Sequence, residues 1–147
     1  MMANRVDPYA GYNFAVELDG ITRAGFRECS GLESSQNASE YREGTDRSLS
    51  VRKIPGLNTY GDITLSRGLT LDSKLWEWRD KAAKGSVERH DISITLLDHT
   101  GNAKITWNLF ACWPKSWTGP SLSAASDEIA VEQLTLAYER IEVDKWS

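Results

Sequence analysis

Large apolar residues alternate with polar ones along most of the chain, and this period of two predicts β-strands. The first clear case is residues 12–18, whose alternate positions are Tyr12, Phe14, Val16 and Leu18. The dipeptide Asp19-Gly20 follows and is a strong signal for a two-residue hairpin turn. We therefore expect a hairpin whose returning strand runs from about Ile21 to Leu32.

The same alternation recurs and predicts four more strands, over about 62–69, 92–96, 105–113 and 134–143. In the third of these strands one face is expected to carry Ile105, Trp107, Leu109, Ala111 and Trp113, so both tryptophans are assigned to the core. Residues 98–102 are predicted to form a turn. Residues 116–128 are predicted to form a loop because Ser, Thr, Gly and Pro make up much of that segment.

The segment TLDSKLWEWRDKAAKG breaks the period of two and predicts an α-helix over about 72–84. Its apolar stripe is expected to consist of Leu71, Leu75, Trp78 and Ala82, at steps of four, three and four. Thr70 or Asp72 is suited to cap its start, and Gly85 lies where a helix ends. Trp76 lies about 100° from Leu75 around the helix. It is therefore expected either to flank the core or to contact a partner.

The length of 147 residues predicts one domain, residues 1–147, and the composition of 40% apolar and 26% charged residues indicates that it is globular. The elements predict a mainly β fold: an antiparallel β-sandwich or barrel with one α-helix packed on it. The net charge of −4 argues against a dedicated nucleic-acid binder. We expect no secretory signal, no membrane insertion by this chain and, in a reducing cytoplasm, free thiols at Cys29 and Cys112.

The sequence carries no motif for catalysis or for a cofactor. Its two histidines, His90 and His99, lie outside any HExxH or cysteine–histidine metal spacing. It contains no GxSxG, P-loop or GxGxxG pattern. We therefore expect a protein that is not an enzyme and that needs no cofactor or metal.

A long polar and basic stretch lies near the middle of the chain. Residues 33–43 are polar on both faces up to Tyr41, and the stretch YREGTDRSLSVRKIPGLNTYGDITLSRG follows as residues 41–68. Its basic residues are Arg42, Arg47, Arg52, Lys53 and Arg67, and they are interleaved with Glu43, Asp46 and Asp62. Mixed signs favour a solvated loop or a contact between subunits over a nucleic-acid patch.

These polar strands are difficult to place in a monomer, because neither face of residues 33–43 can cover a core. Sheets also have edges that pair readily with other chains. A sheet that continues from one subunit to the next removes those edges by closing into a ring. The wall of a wide, water-filled barrel has a polar inner face, which suits such strands. These features therefore favour the hypothesis that the protein assembles with copies of itself.

The sequence also resembles the inner tube proteins of contractile phage tails and related contractile injection systems. The resemblance rests on the ordered combination of FRECSGL, YREG, RKIPG, ITLSRG and WPKSW, within matching pieces that run through almost the whole chain. One departure is in WPKSW, where Ser116 directly precedes the second tryptophan and Lys115 lies one place earlier. The family more typically has lysine directly before that tryptophan.

The resemblance implies hexameric rings that stack into a hollow tube, with a β-barrel continuous around the lumen. It implies as partners further copies of the chain, a contractile sheath, baseplate or spike proteins, tube-terminating proteins, and luminal protein cargo or phage DNA. The lumen wall would include strands from 12–32 and from the C-terminal half, and the helix would lie on the outer side. The residues expected to contact neighbouring subunits are Arg42, Gly44, Arg47, Arg52, Lys53, Pro55, Gly56, Tyr60 and Trp76.

We hypothesise that the loop over about 44–60 is ordered only on assembly, with Pro55-Gly56 setting its bend. The chain would be made in the cytoplasm and built into a tail or tail-like particle. Two alternatives stay open: a tube initiator near the baseplate that forms a single ring, and, outside the family, a monomeric β-barrel that binds a ligand.

Overall fold

A computed structural model describes residues 7–11, 13–18, 21–45, 47, 49–125 and 127–146. The predicted Asp19-Gly20 turn lies outside the described residues, although the strands on either side of it pair antiparallel as expected. The elements in chain order are β1 (Phe14–Leu18), β2 (Ile21–Ala24), β3 (Glu28–Ser30), β4 (Ser34–Tyr41), β5 (Arg52–Tyr60), β6 (Ile63–Gly68), α1 (Lys74–Ala83), β7 (His90–Leu97), β8 (Ala103–Thr118), β9 (Val131–Ala137) and β10 (Arg140–Trp146).

Eight of these strands form two antiparallel layers that share β8. In the first sheet the order is β2-β1-β7-β8, and β10 pairs with the free side of β8. In the second sheet the order is β8-β9-β6-β3. The first part of β8 thus belongs to the first sheet, and its last part, from Trp113 onward, belongs to the second. The mainly β, antiparallel fold predicted from the sequence is confirmed.

The hydrophobic core lies where the inner faces of the two sheets and one side of α1 meet. The buried apolar side chains include Val16, Leu18, Ile92, Ile94 and Leu109 from the first sheet, Ile63, Leu65, Leu134 and Leu136 from the second, and Leu75 and Trp78 from α1. Their alternate spacing in the strands is the feature that the apolar period predicted.

The long strand β8 changes its buried face at Ala111. This residue has φ of 57°, a left-handed conformation that is unusual for a residue with a side chain. Before it Ile105 and Leu109 are buried, whereas after it Cys112 and Pro114 are buried. The prediction that Trp113 shares the face of Leu109 is therefore wrong, because the left-handed residue shifts the alternation by one.

Three other expectations need correction in their boundaries. The returning strand over 21–32 is two strands, β2 and β3, which lie in different sheets. The last predicted strand is likewise divided into β9 and β10. The loop expected over 116–128 begins later, because β8 continues through Thr118. Composition identified the polar segments but did not show where the backbone changes from one sheet to the other.

The predicted helix is confirmed as α1, but one residue of its predicted apolar stripe is wrong. Leu75 and Trp78 are buried, and the Trp78 indole Nε1 donates a hydrogen bond of 2.8 Å to the Glu88 carbonyl. Leu71 is fully exposed, because the helix begins only after Ser73. The helix ends before Gly85, whose φ of 94° is the left-handed conformation expected of a glycine there.

Candidate assembly interface

The strands β3, β4, β5 and β6 together form one long hairpin. Ser30 pairs with Thr64 in the β3–β6 part, and four residues further along Ser34 pairs with Tyr60 in the β4–β5 part. The register is thus unchanged, and the Gly61 N–H donates to the Glu33 carbonyl across the junction at 3.3 Å. We call β3 with β6 the base of this hairpin and β4 with β5 its arm.

The arm extends beyond the sandwich. Every residue of β4 is exposed, and in β5 only Gly56 and Tyr60 are partly buried. Two strands of eight and nine residues at about 3.3 Å per residue make an arm about 25 Å long. The expectation of a loop over 44–60 is therefore wrong for residues 52–60, which form a paired strand in the single chain.

The predicted bend at Pro55-Gly56 is a β-bulge. Gln36 pairs with Asn58 but Ala38 pairs with Pro55, so one side of the ladder has an additional residue. A Cβ atom at Gly56 would lie 2.9 Å from the Asn37 carbonyl oxygen, which explains why glycine occupies this position. The Gln36 side chain donates to the Gly56 carbonyl at 2.8 Å and closes the bulge.

Exposed apolar side chains are concentrated on the arm and on the segment that connects its strands. They are Tyr41, Leu49, Val51, Ile54 and Leu57, of which Leu49 is 91% exposed. Soluble monomers rarely expose so many large apolar groups close together, and such patches mark interaction surfaces.

The predicted contact residues are divided between this arm and the sandwich. Exposed on the arm or its connection are Arg42, Gly44, Arg47, Arg52, Lys53 and Pro55. Lys53 is 3.4 Å from Glu40, in an ion pair whose side chains are about two-thirds exposed. Tyr60 instead packs within its own subunit, with its ring centroid 5.8 Å from that of Tyr138.

Arg67, one of the basic residues of the central stretch, is not a surface residue. Its Nε lies 2.6 Å from a Glu132 carboxylate oxygen, and both side chains are buried. Its Nη1 lies 3.2 Å from the Asp72 carboxylate, and its Nη2 donates to the Asp72 carbonyl at 2.9 Å. The pair joins β6, β9 and the residues before α1, so Arg67 belongs to the interior and not to an anion-binding surface.

Trp76 lies on the open side of α1, and its ring centroid is 4.9 Å from that of Trp117 in an edge-on contact. The two rings border a groove of about 260 Å³ that is also lined by Arg79, Asp80, Ala83 and Ser116. Trp76 is nearly half exposed and Trp117 is partly buried. Trp76 therefore lies off the buried stripe of α1, as helical spacing predicted.

A second groove was missed by the sequence reasoning. It has a volume of about 660 Å³ and lies between the loop over 119–130 and the end of the second sheet. Its lining is Arg27, Thr118, Gly119, Pro120, Ser121, Leu122, Ser123, Glu128, Ile129, Ala130, Val131 and Gln133. We call it the end groove. Composition marked this segment only as a loop, and the exposed Leu122 and Ile129 were the available signal.

Groups suited to metal binding or nucleophilic chemistry do not cluster in the described part of the chain. No three histidine, cysteine, aspartate or glutamate side chains there are arranged to hold a metal. Burial raises the pKa of the Cys29 thiol to about 11 and that of the Cys112 thiol to about 12. Both thiols are therefore protonated at neutral pH. Among the described residues, no helix combines the length and the apolar character needed to cross a membrane.

A β-sandwich with unpaired sheet edges and a long exposed arm is typical of a structural subunit whose strand edges and grooves bind other chains. Comparison of the sequence with family models identifies this class more closely. The chain belongs to the family described as T4-like virus tail tube protein gp19, whose model matches residues 10–142. It is a tail tube protein, as its resemblance to the inner tubes implied.

Solved structures agree with this assignment. A chain in the sheath–tube complex of an extracellular contractile injection system, PVC, in its extended state is 33% identical, with a TM-score of 0.84 over 94% of this chain and 92% of that chain. A chain in the tube-terminating cap of the anti-feeding prophage is also 33% identical, with a TM-score of 0.87 over 99% of this chain and 96% of that chain.

More distant structures share the fold alone. Hcp1 from Flavobacterium johnsoniae is 14% identical, with a TM-score of 0.57 over 90% of this chain and 95% of that chain. A search of curated proteins gave no significant match.

Proposed function

We propose that the chain forms hexameric rings that stack into the hollow inner tube of a contractile injection system or contractile tail. Its family and the two structures at 33% identity, both from particles with a tube, support this function. The first comes from a sheath–tube complex and the second from a tube-terminating cap, and a less similar structure comes from a baseplate. The proposed partners are therefore further copies of the chain, a sheath, a baseplate and a cap.

The second sheet is the part best suited to line the lumen. Four hydroxyl residues form one row across its strands: Ser30, Thr64, Thr135 and Ser116. They alternate with core residues such as Leu65 and Leu134, so the row faces away from the core. The observation that carries the proposal is this row of uncharged polar side chains, because a water-filled barrel needs a polar inner wall.

The edges of the second sheet are also suited to ring closure. Its outer strands are β3 and the last part of β8, and three antiparallel steps separate them. They therefore run in opposite directions, and in a cyclic ring β8 of one copy can pair antiparallel with β3 of the next. Of the strands expected at the lumen from the resemblance, β3, β8 and β9 belong to this sheet, whereas β1 and β2 belong to the other.

The contact residues predicted from the sequence remain proposed contacts, including Tyr60, whose side chain is only partly buried. Those on the arm and its connection would contact neighbouring subunits, as would Trp76 beside its groove on the outer side of α1. The chain acts as a conduit for protein cargo or DNA and is moved by the sheath, and it carries out no catalysis. Residues 1–147 act as one tube domain.

Electron microscopy of the purified protein at low and high concentration, with light scattering on the same samples, tests the function. Stacked six-fold rings or hollow tubes are the expected result. Single rings at every concentration would instead support the alternative of a tube initiator near the baseplate. A protein that stays monomeric at every concentration, including in the presence of preformed tube ends, would contradict the assembly and favour a monomeric binding module.

A further inference from the structure

We propose that the end groove binds an extended segment of a polypeptide cargo inside the tube. This site rests on the proposed function, in which the second sheet lines the lumen. Protein, and not DNA, is then the cargo that the wall retains. Two features of the molecule support the assignment: the face of the sheet on which the groove lies, and the chemistry of the side chains that line it.

The groove lies on the face of the second sheet that points away from the core. Along β9, Leu134 is completely buried in the core, so the alternating Gln133 and Thr135 lie on the opposite face. Val131 shares this face with Gln133, and Thr118 of β8 pairs with Gln133. All three residues line the groove. Because Thr135 belongs to the hydroxyl row proposed for the inner wall, the groove borders the lumen.

The lining is poorly suited to a nucleic acid. Its charged residues are Arg27 and Glu128, so it has no excess of positive charge. Binding of a DNA backbone depends on several lysine or arginine contacts to phosphates. Unpaired bases instead stack on aromatic side chains, and among the described residues that line the groove none is aromatic. A ligand without net charge matches the balanced charges of this lining better than a polyanion does.

The remaining side chains of the groove are suited to a polypeptide. Leu122 and Ile129 are each at least 80% exposed, and aliphatic side chains of a ligand would cover them. The exposed Thr118, Ser121 and Gln133 supply hydroxyl and amide groups that can hydrogen-bond to a peptide backbone. The volume of about 660 Å³ falls within the range of concave sites that enclose a ligand. An extended segment with aliphatic side chains therefore fits the groove.

The proposed ring would place six of these grooves around one lumen. Four strands from each of six copies, about 4.8 Å apart, make a wall about 115 Å around and a bore about 35 Å across. An extended chain can reach the wall of such a bore. Simultaneous binding at several linked sites raises avidity about 100-fold or more. Cargo would therefore be retained along the tube without tight binding at any one groove.

Binding of three probes to assembled wild-type rings or tubes tests the class of ligand. The first is a fluorescent peptide of glycine, serine and leucine without net charge, here called the leucine peptide. The second has serine in place of each leucine, and the third is a single-stranded DNA of equal length. We expect the leucine peptide to cosediment with the assemblies and to bind at least about tenfold more tightly than either other probe. Equal binding of all three, or a preference for DNA, would overturn the assignment.

Two tryptophan variants on β9 locate the site. Gln133→Trp fills the groove, whereas Thr135→Trp adds the same ring to the same face outside the groove lining. We expect Gln133→Trp to lower the amount of leucine peptide bound at saturation at least about fivefold, because the ring occupies the volume of the site. The matched control Thr135→Trp is expected to bind a nearly normal amount. Electron microscopy and thermal melting establish that each variant folds and assembles.

Removal of the apolar lining tests the same site without adding volume. Leu122→Ser/Ile129→Ser changes two side chains that are largely exposed, so it is expected to fold normally. We expect it to weaken binding of the leucine peptide about tenfold, because the aliphatic contacts are lost. Unchanged affinity in this variant would contradict a groove that recognises aliphatic side chains.

Failure of the inference and failure of the proposed function give different results. Intact tubes that bind no leucine peptide, or that lose as much binding in Thr135→Trp as in Gln133→Trp, would overturn the luminal site while leaving the tube intact. Loss of ring stacking in Gln133→Trp alone would show that another copy fills the groove, and would overturn the site as well. A wild-type protein that forms no rings would instead overturn the proposed function, and the luminal site with it.

Discussion

The base and the arm of the long hairpin share two strands and one register but have opposite surroundings. In the base, Ile63 and Leu65 are completely buried between the sheets. In the arm, nearly every side chain is exposed on both faces. Pairing of the backbone is thus independent of burial here, and the side chains alone decide which part belongs to the core and which part is available to another chain.

The difference also indicates what holds the arm in place. Cross-strand contacts such as the 2.8 Å hydrogen bond between the Ser35 and Thr59 hydroxyls support it. A two-stranded hairpin is at best marginally stable alone in water. The arm therefore depends on the base for its position, and Tyr60 is the arm residue whose ring packs against the core. Substitutions in the base should affect folding, whereas those in the arm should affect assembly.

Truncation of a leucine in each part provides the largest expected contrast. Leu65→Ala leaves a cavity in the core and is expected to lower the free energy of unfolding by about 4 kcal/mol. Leu57→Ala removes a side chain that is 78% exposed and is expected to change it by less than about 0.5 kcal/mol. Urea denaturation of dilute protein measures both values. Equal losses would show that the arm is part of the cooperative core.

An ion pair in each part gives the second contrast. Glu132→Gln leaves the buried Arg67 guanidinium without its closest carboxylate and is expected to cost about 3 kcal/mol of unfolding free energy. Glu40→Gln, which removes the partner of the exposed Lys53, is expected to cost less than about 1 kcal/mol. Denaturation midpoints of the two variants compare them. A cost below 1 kcal/mol for Glu132→Gln would mean that Asp72 alone compensates the charge.

The junction between the two parts provides a third test. Gly31 has φ of 101°, and a Cβ there would lie 2.0 Å from the Asp62 carbonyl oxygen. Gly31→Ala is expected to cost about 2 kcal/mol of unfolding free energy, because the backbone must shift and adopt a strained conformation. It should also reduce tube formation by reorienting the arm. The matched control is Gly44→Ala, where a Cβ meets no atom within 4 Å. Similar stabilities of both variants would contradict this role of the junction.

Much of the fold could be predicted because the apolar period survives in the strands that form the core. Val16, Ile92, Ile94 and Leu134 lie at alternate positions and are buried as the pattern requires. The shift at Ala111 could not be predicted, because one left-handed residue moves the alternation without changing the composition. The pattern therefore locates strands better than it locates bulges and breaks.

The candidate interface was predicted less completely, for a related physical reason. A strand exposed on both faces has no apolar period, so residues 52–60 read as a loop although cross-strand hydrogen bonds order them. Arg67 looked like part of a basic surface because sequence does not show its buried partner Glu132, 65 positions away. Long-range pairing decides both cases, and only the folded chain displays it.

The smallest expected effect concerns Asp72, which links the base to the start of α1. The pKa of its carboxyl lies below the ordinary value because the Lys74 backbone N–H donates to it and, further, because Arg67 hydrogen-bonds it. A lowered pKa in the folded state contributes stability above the unfolded-state pKa, and this contribution is lost as pH falls through the folded-state value. Asp72→Asn should therefore flatten the fall in stability below about pH 4.

Asp98 provides a second, independent case. The pKa of its carboxyl is also lowered, chiefly by the hydrogen bond from the Thr100 hydroxyl, so Asp98→Asn should flatten the same fall in stability independently of Asp72→Asn. Urea midpoints measured from pH 2 to pH 6 compare the variants, and an acid limb unchanged by Asp72→Asn would show that this carboxylate does not stabilise the base.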